Sequence, residues 1–145
     1  RPRPTDQPPV RFYERLEPAV FVLRLVPGMR ADIIPLLAPH YRALVLESFG
    51  VGGLPGGEHG EMFAALRCWC ESGRLAVFTT QVPHEGCDLA VYEVGRAVGE
   101  LPGVLEARDM TPEAVAVKLM WALGQTEDRE KAARLFETPI EYDIM

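Results

Sequence analysis

Apolar residues along this chain fall into short unbroken runs that alternate with segments of helical spacing. Residues 19–26, Ala-Val-Phe-Val-Leu-Arg-Leu-Val, are dense in β-branched and aromatic side chains and stop at Pro27-Gly28, which predicts a buried strand. Residues 30–38 bring Ile33, Ile34, Leu36 and Leu37 at the spacing of a short helix, with Asp32 in its first turn and Pro39 beyond it. Residues 43–46 predict a second strand, followed by a Gly-rich turn over residues 48–57. Met62, Leu66 and Trp69 recur at i, i+4 and i+7 and predict a helix over residues 58–72, stopped by Gly73.

The same alternation continues to the end of the chain. Residues 75–80 read as a third strand and residues 82–88 as a loop. Val91, Val94 and Val98 mark a helix over residues 91–100, closed by Pro102-Gly103, and residues 104–105 make a short fourth strand. Thr111-Pro112-Glu113 opens a helix with Thr111 as N-cap and Pro112 at the first helical position, and Val115, Leu119 and Ala122 form its buried stripe. Residues 128–136 predict a last helix. Strands that are continuously apolar are those buried on both faces. The pattern therefore predicts an α/β domain: a small doubly wound sheet of about four parallel strands flanked by helices. Residues 1–18, rich in Pro and charge and without sustained periodicity, read as a linker or lead-in, and the domain proper as residues 19–145.

Composition narrows the function classes. At 145 residues the chain suits one domain, and with 48% hydrophobic and 25% charged residues it is of ordinary globular type. A net charge of −6, with basic residues scattered among more numerous acids, argues against nucleic-acid binding. No apolar run approaches the roughly 18 to 20 residues that span a bilayer, and the longest is interrupted by Arg24, so no membrane partner is expected. The chain opens Arg-Pro-Arg-Pro, without Met or an apolar leader, which suggests a cytoplasmic protein whose start lies upstream. Cys68, Cys70 and Cys87 form no even framework, and on a helix the Cys68 and Cys70 side chains diverge by about 200°, so reduced thiols are expected rather than a metal site.

In parallel sheets, ligands sit beyond the carboxyl ends of the strands. That rule selects the Gly-rich loop after the second strand, Thr79-Thr80-Gln81 after the third, and residues 107–111 after the fourth. Gly50-x-Gly52-Gly53 fails the dinucleotide fingerprint because Pro55 stands where the third Gly belongs, and no Gly-Lys-Ser/Thr follows to make a phosphate loop. No cofactor is expected. Of His40, His59 and His84, only His84 lies near the ligand edge, and no Ser or Cys sits in a nucleophile elbow beside a base. Residue chemistry alone gives an α/β domain with a ligand edge and no complete catalytic centre.

An ordered set of segments adds to this. Pro27-Gly28-Met29-Arg30-Ala31-Asp32, the stretch from Ala43 through Ser48-Phe49-Gly50-Val51-Gly52-Gly53, Thr79-Thr80-Gln81, and Asp109-Met110-Thr111-Pro112-Glu113-Ala114 with Lys118-Leu119 resemble, in family order, the C-terminal domain of type I (cytoplasmic-type) L-asparaginases. Archaeal subunits of tRNA-dependent amidotransferases share that architecture and resemble the chain next best. A non-catalytic small-ligand or dimerisation module of other parentage is a further alternative; a flavodoxin-like regulator would want an acidic pocket where Pro27-Gly28 stands.

The resemblance implies hydrolysis of L-asparagine to L-aspartate and ammonia by a parent enzyme whose catalytic Thr lies in an N-terminal domain. It also implies a homodimer and an edge for a small amino acid, asparagine, lined by Ser48, Gly52, Gly53, Thr80 and Gln81. No catalytic residue is assigned to this chain. Two positions depart from the family pattern. Glu47 stands where some members carry an Arg that holds an allosteric effector, and Gly53 stands where the family has Asn.

Overall fold

The computed structural model describes residues 11–50, 52–56, 60–82, 84–91, 93–140 and 143–144. Nine elements follow in chain order: β1 (Val20–Arg24), α1 (Ile33–Leu37), β2 (Ala43–Ser48), α2 (Glu61–Glu71), β3 (Leu75–Thr80), α3 (Glu93–Gly99), β4 (Val104–Glu106), α4 (Pro112–Gln125) and α5 (Arg129–Glu137). The four strands form one parallel sheet in the order β1-β2-β3-β4, so the predicted α/β architecture stands.

Side chains that alternate along each strand divide between two cores. Leu44 and Leu46 of β2 and Ala76 and Phe78 of β3 pack with Ile34, Leu37, Met62, Leu66, Trp69 and Val98 from α1, α2 and α3. Ala43, Val45, Leu75 and Val77 point the other way, onto Val115, Leu119, Ala122, Ala132 and Phe136 of α4 and α5. This period of two across a doubly covered sheet is why β2 and β3 read as unbroken apolar runs. The strand order runs without reversal, so the three crossover helices share one face, and α4 and α5 reach the other face only after the last strand.

The helix stripes read from the sequence are the buried ones: Met62, Leu66 and Trp69 on α2, and Val115, Leu119 and Ala122 on α4. Thr111 caps α4, its hydroxyl accepting from the Ala114 amide at 3.4 Å. Strand β1 and helices α1 and α2 are shorter than expected, and three further details differ. Strand β2 runs two residues further, through Glu47 and Ser48, because both continue the register against Thr79 and Thr80. Helix α3 begins at Glu93, which leaves Val91 outside it and 52% exposed. Asp32 is the N-cap residue of α1 and makes no capping bond, because the Arg30 guanidinium forks onto its carboxylate at 2.8 and 3.0 Å.

Residues 11–17 lie along α4. The Tyr13 and Trp121 rings meet edge to face at 5.2 Å, Gln125 donates to the Arg15 carbonyl at 2.9 Å, and the Glu17 amide donates to the Met120 carbonyl at 2.9 Å. Glu17 also receives the Ala19 amide and the Arg42 guanidinium, each at 3.0 Å, and these bonds hold its carboxyl below the usual carboxylate range. The chain thus enters β1 already clamped to the α4 layer.

Candidate functional site

The carboxyl ends of β1, β2 and β3 converge, and parallel pairing places Arg24, Glu47 and Thr79 in one row across them. Gln81, one residue beyond β3, closes the row. Its side-chain amide donates to the carbonyls of Leu25 at 2.6 Å and Glu47 at 2.7 Å, and its Oε1 accepts from Arg24 Nε at 3.3 Å. One side chain therefore ties three strand ends together through both of its donors and its acceptor. The backbone reinforces the knot: the Gln81 amide donates to the Ser48 carbonyl at 3.2 Å and the Leu25 amide to the Glu47 carbonyl at 3.0 Å.

Ser48 and Thr80, adjacent in register, face the α1–α3 side. The Ser48 hydroxyl is wholly buried and donates to the Thr79 carbonyl at 2.8 Å. Thr80 Oγ1 donates to the Gly50 carbonyl and accepts from the Val82 amide at 3.0 Å. Both hydroxyls fix the Gly-rich loop and the β3 end to one another. The loop itself is a tight turn, with the amides of Gly52 and Gly53 donating to the Phe49 carbonyl at 3.2 and 2.8 Å. A Cβ on Gly52 would meet Leu89 Cδ2 at 2.8 Å, and one on Gly53 would press the Phe49 carbonyl oxygen at 3.2 Å. Any side chain at position 53 therefore crowds its own turn unless Phe49 gives way.

The structure thus brings Ser48, Gly52, Gly53, Thr80 and Gln81 to one edge, where their polar atoms hold the edge in shape. Glu47 lies beside them with its side chain 16% exposed, its Oε2 3.7 Å from Arg24 Nη1. The Thr79 hydroxyl is the buried polar side-chain atom without a hydrogen-bond partner among the described residues. Leaving such a group unpaired costs about 1–3 kcal/mol, so it singles out this row of strand ends. Sequence reasoning did not assign Arg24 a role, although the signal was there: it is the one charge inside the first apolar run.

Around the rest of the edge, a cavity of about 330 Å³ opens between Gly28-Met29-Arg30-Ala31, which follow β1, and Pro55, Gly56, Glu61 and Met62 of the Gly-rich loop and the start of α2. At the end of β4, burial pushes the Glu106 carboxyl above its ordinary value, and the nearby Asp88 charge adds to the effect. His84, after β3, is exposed with φ of 73°, and His40 is exposed at the opposite end of the sheet. His59 lies outside the described residues. No group of His, Cys, Asp and Glu able to hold a metal occurs among the described residues.

This arrangement belongs to a sheet whose sequence also matches known proteins. Residues 19–136 match the Glutaminase/Asparaginase C-terminal domain. The chain belongs to that family. An L-asparaginase of Thermococcus kodakarensis is 38% identical over 133 residues, covering 92% of this chain and 40% of that protein. A subunit of the Glutamyl-tRNA(Gln) amidotransferase of Metallosphaera sedula is 35% identical over 130 residues, covering 89% of this chain and 28% of that protein. Among solved structures, the thermostable L-asparaginase from Thermococcus kodakarensis superposes with a TM-score of 0.82 at 35% identity, over 97% of this chain and 44% of that one. L-asparaginase I from Vibrio cholerae superposes with a TM-score of 0.78 at 28% identity, over 89% of this chain and 38% of that one. This asparaginase C-terminal domain therefore spans less than half the length of the relatives it matches.

Proposed function

We propose that this chain serves as the C-terminal domain of an L-asparaginase, an amidohydrolase that converts L-asparagine to L-aspartate and ammonia, and that it is not catalytic alone. The observation that carries the reading is the match to the Thermococcus L-asparaginase across 92% of this chain but only 40% of that enzyme. On this reading the catalytic Thr comes from an N-terminal domain of the same parent chain. The domain contributes to a homodimer and offers asparagine an edge built by Ser48, Gly52, Gly53, Thr80 and Gln81, without cofactor or metal.

Glu47 is the altered allosteric position. Its carboxylate would repel an effector carboxylate, and the nearest guanidinium, Arg24, already serves Glu47 and Gln81. The proposed enzyme is therefore indifferent to asparagine as an effector. A cytoplasmic setting suits the three cysteines, none of which forms a disulfide. The second reading, one domain of a tRNA-dependent amidotransferase, draws on the 35% identity to the Metallosphaera protein.

Titration calorimetry on the chain with Asn, Asp, Gln and common nucleotides separates these readings from an unrelated module. Nucleotide binding with no response to amino acids would sink both. The chain joined to its N-terminal domain then separates them from each other. Turnover of free asparagine supports the asparaginase, whereas turnover only with a misacylated tRNA supports the amidotransferase.

A further inference from the structure

Helix α4 has no polar face. Between Glu113 in its first turn and Gln125 at its end, the one polar side chain is Lys118, and it turns inward. Its Nζ donates to the Thr138 carbonyl at 3.0 Å and pairs with Asp143 at 2.8 Å. Val115, Leu119 and Ala122 bury against the sheet. The outer stripe, Ala114, Val117, Met120, Trp121 and Gly124, recurs at helical spacing and is apolar as well. A helix apolar all round is ordinarily buried on both sides. We propose that the outer face of α4, with the lead-in seated on it, is the surface that docks the N-terminal domain of the parent chain.

Residues 11–17 cover only part of this stripe. Tyr13 meets Trp121 edge to face, and the backbone of Arg15 and Leu16 lies directly on Gly124, where a Cβ would stand 2.5 Å from the Arg15 carbonyl oxygen. One turn before Trp121, Val117 stays 59% exposed, and Ala114 is exposed beyond it. The cover itself turns apolar groups outward: Phe12 is 86% exposed, Leu16 59% and Tyr13 52%. Single exposed apolar side chains are ordinary on a protein surface. Here four of the nine large ones exposed among the described residues gather along one helix face.

The lead-in also says what covers the face. Residues 11–17 precede β1, so a domain that comes before this one is tethered at α4 itself. A tether raises the effective concentration of that domain at the face above that of any free partner, a second copy included. The size of the relatives calls for such a domain. Residues 19–136 match a domain that is C-terminal in its family, and the Thermococcus enzyme is matched over 92% of this chain but only 40% of its own length. The inference rests on the proposed reading, in which an N-terminal domain precedes this one in the parent chain.

Thiol labelling reads the cover directly. Val117→Cys is made in a Cys68→Ser background, since Cys70 and Cys87 are buried. In the 145-residue chain the introduced thiol should label as an exposed cysteine does, at every protein concentration. In the same chain joined to its N-terminal domain it should label slower by roughly tenfold or more, because reaction then waits on the domains parting. Ala114→Cys should be slowed alike. Equal rates in the two forms would overturn the proposal, whether or not the joined protein hydrolyses asparagine. Slowing without turnover would uphold the docking surface and sink the asparaginase reading. Slowing that develops in the chain alone as its concentration rises, or that is lost on diluting the joined protein, would assign the face to a second copy and overturn the proposal.

Discussion

Gly124 offers a sign test of how the chain enters the domain. It lies in the last turn of α4, where Ala is ordinarily better than Gly by about 0.5–1 kcal/mol because glycine loses more backbone freedom on folding. Here, however, a Cβ would stand 2.5 Å from the Arg15 carbonyl oxygen, 2.8 Å from its carbon and 3.0 Å from Leu16 Cα. All three are backbone atoms, so no side-chain rotation relieves the contact. Either the crowding persists, at about 1–3 kcal/mol for an overpacked site, or residues 11–17 lift away. Lifting forfeits the Gln125–Arg15 and Glu17–Met120 hydrogen bonds at about 0.5–1.5 kcal/mol each. The Tyr13–Trp121 ring pair adds about 0.5–1.5 kcal/mol more. Less the propensity gain, Gly124→Ala should destabilise the chain by about 1–2 kcal/mol in urea-monitored unfolding. In a chain shortened to begin at Pro18 the same substitution should be neutral or stabilising. A gain in both backgrounds would show that residues 11–17 do not pack on α4, and a loss in both would locate the strain elsewhere.

Other outcomes follow from the strand-end knot, the thiols and the β4 carboxyl. Gln81→Ala removes two amide donors from the Leu25 and Glu47 carbonyls and should cost about 1–3 kcal/mol in thermal unfolding, with the β1 end losing amide-exchange protection first. Burial pushes the Cys70 thiol up to about 11 and the Cys87 thiol up to about 12, while Cys68 is exposed. A thiol reagent at pH 8 should therefore label one cysteine in the native chain and three after denaturation; fast labelling of two or more natively would contradict the packing. The Glu106 carboxyl is raised in the fold, chiefly by burial, so its contribution to stability is full below its unfolded pKa of about 4.3 and is lost as pH rises through the folded value. Glu106→Gln should accordingly raise the melting temperature at pH 7, with the gain vanishing below about pH 4.

How much of this was legible beforehand depends on the range of the interactions. Local periodicity located the strands and the stripes of α2 and α4, because Met62, Leu66 and Trp69 or Val115, Leu119 and Ala122 need only helical spacing to share a face. The strand-end rule selected Ser48, Gly52, Gly53, Thr80 and Gln81, which the structure places side by side. What the edge residues do there was not legible, since it depends on cross-strand register. That Gln81 reaches the Leu25 carbonyl, 56 residues away in sequence, follows from parallel pairing that no local pattern encodes. Arg24 pairs with Glu47 for the same reason. Residues 1–18 read as a linker or entry segment because they lack sustained periodicity; that residues 11–17 lie along α4 could not be read from sequence, since it depends on the missing side chain of Gly124, more than a hundred residues away. Val91 shows the converse failure: its spacing fits the α3 stripe, yet the helix starts after it.

The most direct test of the proposed function is ammonia release from L-asparagine, measured for the 145-residue chain alone and for the same chain joined to its N-terminal domain. The expected result is no turnover by the chain alone, turnover by the joined protein, and a hyperbolic dependence on asparagine because Glu47 leaves no cation free for an effector. Sustained hydrolysis by the chain alone would contradict it.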